Sequence, residues 1–208
     1  MKSLFSIAVL ALTVMPATAQ TTTVGGVTSY RGIGYTVWFP TTWSRTVTGS
    51  VLSLEKSGFP PMAFKIFASP ERDKDAFFAE YRKVANSAVG FPVTFGSATQ
   101  PMVYGNWFGT TIQGDGQIGG VPFVVSATAI EANGYVYLLQ MVAPLQVSWT
   151  AHEVLAALGR SLVFDNPTTP GGVKGSGDSA MCGTGTQCLD LWTSTMSRIT
   201  SQTVGSMR

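Results

Sequence analysis

The sequence predicts an α+β fold: an antiparallel β-sheet flanked by helices as an α-β-α sandwich, plus a C-terminal tail with a short helix. Three observations predict it. Apolar residues alternate with polar ones in short segments separated by turn signals, the period of two that assigns successive side chains to opposite sheet faces. Two other segments shift to a period near 3.6. Around Tyr135 to Gln140 both sets are largely apolar, with Tyr135, Tyr137 and Leu139 on one face and Val136, Leu138 and Gln140 on the other. A strand that is apolar on both faces needs cover on both, which favours three layers over an open sheet.

The first strand is Tyr35, Val37 and Phe39 alternating with Thr36 and Trp38, stopped by Pro40, which has no N–H to give a ladder. Val51 to Lys56 and Ala63 to Ala68 follow as strands. From Asp73 to Asn86 the period changes: Phe77, Tyr81 and Val84 fall at i, i+4 and i+7 against Asp75, Glu80, Arg82 and Lys83, an amphipathic helix. The acids Glu71, Asp73 and Asp75 stand near its start, where the helix dipole favours negative charge. Further strands are expected at Val93 to Thr99, Met102 to Gln113, Val121 to Glu131 and Tyr135 to Val142. Asn133-Gly134 joins the last two as a hairpin, because a type I′ turn wants positive φ at both central residues. A second helix opens on a capping box, Thr150-Ala151-His152-Glu153, and buries Val154, Leu155, Leu158 and Leu162.

At the N-terminus, Lys2 and the apolar run Leu4 to Met15 end at Pro16 and Ala17-Thr18-Ala19, the pattern of a secretory signal peptide cleaved between Ala19 and Gln20. The run is too short for a bilayer span, which needs roughly 20 residues, and no later stretch is apolar enough to serve as a membrane helix. The expected address is periplasmic or secreted, in a bacterium. The organisation is then residues 1–19 signal peptide, 20–29 N-terminal extension, 30–165 folded domain, and 166–208 a Gly/Pro-rich linker with a cysteine-bearing tail.

Loss of Lys2 leaves one basic residue fewer than the 13 Lys and Arg of the full chain, against 11 Asp and Glu. The basic residues are scattered from Arg31 to Arg208 without a run or stripe, so nucleic acid is not the expected partner, since phosphate binding draws on clustered cations. The two cysteines, Cys182 and Cys188, sit in the tail, and an exported chain most simply pairs them. Closing so small a ring contributes roughly 2 to 2.5 kcal/mol to the local loop alone. Beyond it Leu189, Trp192, Met196 and Ile199 recur at spacings of three and four, a short amphipathic helix that is marginal unless docked. Three outcomes are open to it: docking on its own domain, fraying in solution, or binding a partner through Leu189, Trp192, Met196 and Ile199.

The stretch Gly34-Tyr35-Thr36-Val37-Trp38-Phe39-Pro40-Thr41-Thr42-Trp43 resembles the opening strand of the PsbP-like superfamily, which includes the photosystem II PsbP proteins and the Mog proteins of nuclear import. Ala151 to Ser161 followed by Leu162-Val163-Phe164 resembles its closing helix and strand. The resemblance spans residues 30–164 and implies an α-β-α sandwich that binds or helps assemble other proteins. It implies no shared catalytic set.

Catalytic motifs give little purchase. Gly114-Asp115-Gly116-Gln117-Ile118-Gly119 matches G-x-G-x-x-G, but that fingerprint needs a helix after the glycines, and Val121-Pro122-Phe123-Val124-Val125 reads as a strand. A glycine-rich hairpin loop is the expected structure. His152 is the only imidazole and falls in the first turn of a helix, with no G-x-S-x-G elbow elsewhere. No catalytic residue, metal ligand or cofactor is therefore assigned. The expected function is that of an exported, non-enzymatic domain that binds an envelope protein or supports its assembly; a small hydrophobic-ligand module is the alternative, and an envelope enzyme a further one. Thiol titration of the purified mature chain without reductant is expected to find no reactive thiol, and two reactive thiols would refute the pairing of Cys182 with Cys188.

Overall fold

The structure, a computed structural model, describes residues 21–56, 61–104, 107–165 and 185–205. The signal segment, the cleavage pair Ala19 and Gln20, and Cys182 lie outside the described residues. The chain runs β1 (Thr23–Val24), β2 (Val27–Arg31), β3 (Tyr35–Pro40), β4 (Ser44–Thr48), β5 (Val51–Lys56), β6 (Met62–Ser69), α1 (Lys74–Val89), β7 (Val93–Phe95), β8 (Gln100–Tyr104), β9 (Trp107–Ile118), β10 (Val121–Ala132), β11 (Tyr135–Pro144), α2 (Ser148–Ser161), β12 (Val163–Phe164) and α3 (Gly185–Gly205). Two antiparallel sheets result. The larger has the order β4-β5-β6-β11-β10-β9-β7 with β8 also on β9, and the smaller the order β1-β2-β3-β12.

The β10–β11 hairpin is the expected one. Asn133 and Gly134 take φ of 54° and 75°, and Ala132 stands opposite Tyr135, so the turn is two residues long. The resulting register puts Tyr137, Leu139 and Met141 into one apolar cluster and Val136 and Leu138 into another on the opposite face. Both faces of β11 are buried, as its composition demands.

The cover differs from the sandwich that the sequence predicts. One face takes α1 alone, through Phe77, Phe78, Tyr81 and Ala85. The other takes α2 together with the small sheet and α3, since Tyr35, Val37, Phe39, Trp43 and Phe164 share a cluster with Leu155, Leu158 and Trp192. A second sheet therefore does part of the work that a helix layer alone was expected to do. The physical reason lies in β3: its partners are β2 and β12 rather than β5, so it leaves the main sheet and caps it. Residues 23–31 form β1 and β2, two of the four strands of this cap, so the folded unit begins ahead of Tyr30.

Local details depart from expectation in three places. In α1, Asp73 caps the N-terminus by accepting from the amides of Asp75 and Ala76, and Gly90 closes the C-terminus at φ 86°. Val84 is exposed, and Phe78 and Ala85 take its place on the buried face. In α2 the capping box at Thr150 and Glu153 does not form, because a 3₁₀ turn over Leu145–Val147 starts the helix already at Ser148. Finally, Gly114 to Ile118 continue β9 instead of looping; the turn is Gly119-Gly120, at φ 57° and 80°. A Cβ on Gly116 would lie 2.5 Å from the Pro92 carbonyl oxygen and 2.6 Å from the Phe91 ring, so the glycine lets the chain after α1 cross close over the sheet.

Burial raises the pKa of Tyr35, with the Tyr30 and Tyr137 hydroxyls adding to it, and burial does the same to Tyr81 and Tyr104. Below pH of about 10 these phenols are protonated in folded and unfolded chains alike. Above it only the unfolded chain sheds the protons, so stability falls as pH rises. In an alkaline spectrophotometric titration these tyrosines are expected to ionise only as the protein unfolds; ionisation near pH 10 with native circular dichroism would contradict their burial.

Candidate functional site

Helix α1 is shorter than the face it covers. It lies over Ile112, Ala127, Ala129, Val136 and Leu138, ends at Val89, and turns away at Gly90. The sheet beyond that end stays open as a cleft of about 530 Å³.

The register lays out its floor row by row. The first row is Ser53, Lys65 and Gln140, opposite one another on β5, β6 and β11. The second is Glu55, Ala63 and Val142, with Ser44 on β4 extending it. The third holds Phe123 opposite Gly116, and the last is Ile118 opposite Val121 at the hairpin tip. Val89 and Phe91 form the wall left by the departing chain, and Phe91 meets Phe123 with ring centroids 5.9 Å apart. Polar groups thus stand at the helix end of the cleft and apolar groups at the hairpin end.

The helix end is held by two hydrogen bonds. Tyr81 donates its hydroxyl proton to Gln140 Oε1 at 2.7 Å, and the Lys65 ammonium donates to the carbonyl of Ala88. A cation on the last turn of a helix complements the negative end of its dipole. Asn86 fixes the exit, its backbone oxygen accepting from the Gly90 amide and its side-chain oxygen from the Val93 amide at 2.8 Å. Lys56 also lines the cleft, and burial lowers its pKa.

His152 lies elsewhere, within α2. Its Nδ1 is 2.7 Å from the Ser148 carbonyl, which makes Nδ1–H the donor, and its Nε2 faces Gln113 Nε2 at 3.2 Å as acceptor. Both ring nitrogens are engaged in structural contacts. Among the described residues no three His, Cys, Asp or Glu side chains gather as a metal site, and no helix is long and apolar enough to cross a membrane.

The tail stripe offered by the sequence to a partner is used within the chain. Cys188, Trp192 and Ile199 are buried in the main cluster, and Leu189 and Met196 pack against it. Trp192 meets Trp43 edge-on at 5.3 Å and donates its indole N–H to the Trp38 carbonyl at 3.0 Å, while Trp43 stacks on Phe64. Leu189 lies against Gly25, and Arg198 pairs with Glu153 at 3.4 Å. In this structure the stripe is docked on its own domain. The acceptor is assembled from the small sheet and from Trp43, which follows β3 and bridges Phe64 to Trp192. Cys188 stands inside the core, and its expected pairing with Cys182 falls outside the described residues.

No protein-family model and no curated protein matches this chain. Solved structures do. The cyanobacterial PsbP of Synechocystis sp. PCC 6803 is similar at 12% identity and a TM-score of 0.47, over 68% of this chain and 94% of that one. A Bacteroides thetaiotaomicron protein is similar at 13% identity and a TM-score of 0.47, over 66% of this chain; this chain spans 46% of its length. LpqN of Mycobacterium tuberculosis, involved in cell envelope biogenesis, is similar at 12% identity and a TM-score of 0.41, over 62% of this chain and 81% of that one.

Replacing a buried tryptophan by alanine removes its packing and leaves a cavity. Trp192→Ala is expected to lower stability by about 3–5 kcal/mol in denaturant unfolding; a loss below about 1 kcal/mol would mean that α3 is not part of the folded unit.

Proposed function

We propose that this chain is a non-catalytic domain of the bacterial cell envelope that holds an apolar segment of another envelope protein in the cleft beside Gly90. The observation that carries the reading is the uncovered apolar floor of Ala63, Val142, Phe123 and Ile118. It lies on the sheet face that α1 covers through Phe77, Phe78, Tyr81 and Ala85, and it begins where that helix ends. The export signal expected from the sequence would supply the compartment, and with the α3 stripe docked within the chain the cleft is a concave surface on which a partner can bury apolar area.

A second reading, a module for a small hydrophobic ligand, is favoured by one specific observation. The cleft volume of about 530 Å³ falls within the roughly 300–1,000 Å³ of small-molecule sites.

The first reading is tested by capture from envelope extracts with Ile118→Glu, which puts a charge at the hairpin tip, and with Val84→Glu, on the exposed side of α1, as control. The partner retained by the wild-type chain is expected to be lost at least tenfold with Ile118→Glu, about 1.4 kcal/mol, and kept with Val84→Glu. Equal retention by both variants would refute the cleft as its docking site.

A further inference from the structure

The cleft has a chemical polarity that its volume alone does not convey. At the helix end stands Lys65, whose ammonium carries three donors, one of them spent on the Ala88 carbonyl. That partner is a neutral dipole end, and Lys65 takes part in none of the ion pairs found among the described residues. Lys56 adds a second cation to the lining and Glu55 a carboxylate in the next row, away from the Lys65 row. From the Lys65 row the floor runs toward the tip through Ala63 and Val142, then Phe123 beneath Phe91, then Ile118. Along β10 these rows extend from Ala127 to Val121, roughly 20 Å at about 3.3 Å per residue. A cation at the helix end and an apolar track toward the hairpin tip match a molecule with an anionic head and an extended hydrocarbon chain.

We infer that the cleft binds a long-chain carboxylate, with the carboxylate on Lys65 Nζ and the chain laid over Val142, Phe123 and Ile118. This rests on the small-ligand reading of the site and names its ligand class. The two unused N–H donors of Lys65 supply charge-assisted hydrogen bonds that are absent from an uncharged head group. The aromatic pair Phe91 and Phe123 and the aliphatic floor supply the chain with area in proportion to its length.

The test uses the mature full chain and three amphiphiles of one chain length, laurate, dodecanol and dodecyltrimethylammonium, each below its micellar concentration, in isothermal titration calorimetry at neutral pH. Laurate is expected to bind at least tenfold tighter than dodecanol, and dodecyltrimethylammonium weakest. Lys65→Met is expected to erase the preference for laurate while keeping dodecanol, and Lys65→Arg to retain it, which separates charge from any effect on the α1 terminus. Ile118→Glu is expected to weaken laurate and dodecanol together. Equal affinity of the wild-type chain for laurate and dodecanol would overturn the carboxylate assignment and leave the small-ligand reading standing. Binding of none of the three would overturn both.

Discussion

The fold depends on one constraint: β11 is apolar on both faces and sits in the middle of the large sheet, so nothing is stable until both sides are covered. Its neighbour β10 is locked to it by the two-residue turn at Asn133 and Gly134, which fixes which residues face which way. A slip of one position would exchange Tyr137, Leu139 and Met141 with Val136, Leu138 and Gln140, and would bring the Gln140 amide into the larger core. The Tyr81 hydrogen bond to Gln140 is the counterpart of that choice, since it satisfies the one polar group the register buries under α1.

Cover on the two sides is unequal, and the inequality produces the features that matter for function. On one side α2, the small sheet and α3 together spread over the face, joined by the row Phe64, Trp43, Trp192. The other side has α1 alone, sixteen residues long. A helix rises about 1.5 Å per residue, so α1 reaches about 24 Å and ends before the long strands β9 and β10 do. The glycines of β9 let the chain leave the helix close against the sheet, and the cleft is what remains in front of it. Chain length and a C-cap glycine thus set the position of the candidate site, and Lys65 gives it a sign.

Much of this was legible in the residues, and the failures have physical causes. The Asn-Gly turn and the two-sided apolar pattern specified the central hairpin because local and tertiary preferences agree there. β4 left no trace: all five of its residues are exposed, and an edge strand without an apolar face has no period to read. The departure of β3 into a second sheet was equally hidden, since pairing partners are chosen by tertiary geometry and alternation alone does not name them. Gly114 and Gly116 read as a loop because glycine weakens a strand, yet here close backbone approach demands it. In the tail the stripe of Leu189, Trp192, Met196 and Ile199 was visible, but its acceptor, the aromatic surface of Trp38 and Trp43, is assembled from a distant part of the chain. The cleft had no sequence signal at all, because it arises from a mismatch of lengths between a helix and a sheet.

Native-state hydrogen exchange tests the central claim most directly. If the doubly covered pair is the heart of the molecule, the amides of residues 124–130 and 136–141 open only with global unfolding and exchange most slowly, while β4 and β7 exchange through local fluctuation. Exchange across β10 and β11 as fast as in β4 would contradict the account, because it would mean that the central strands are not sealed on both faces.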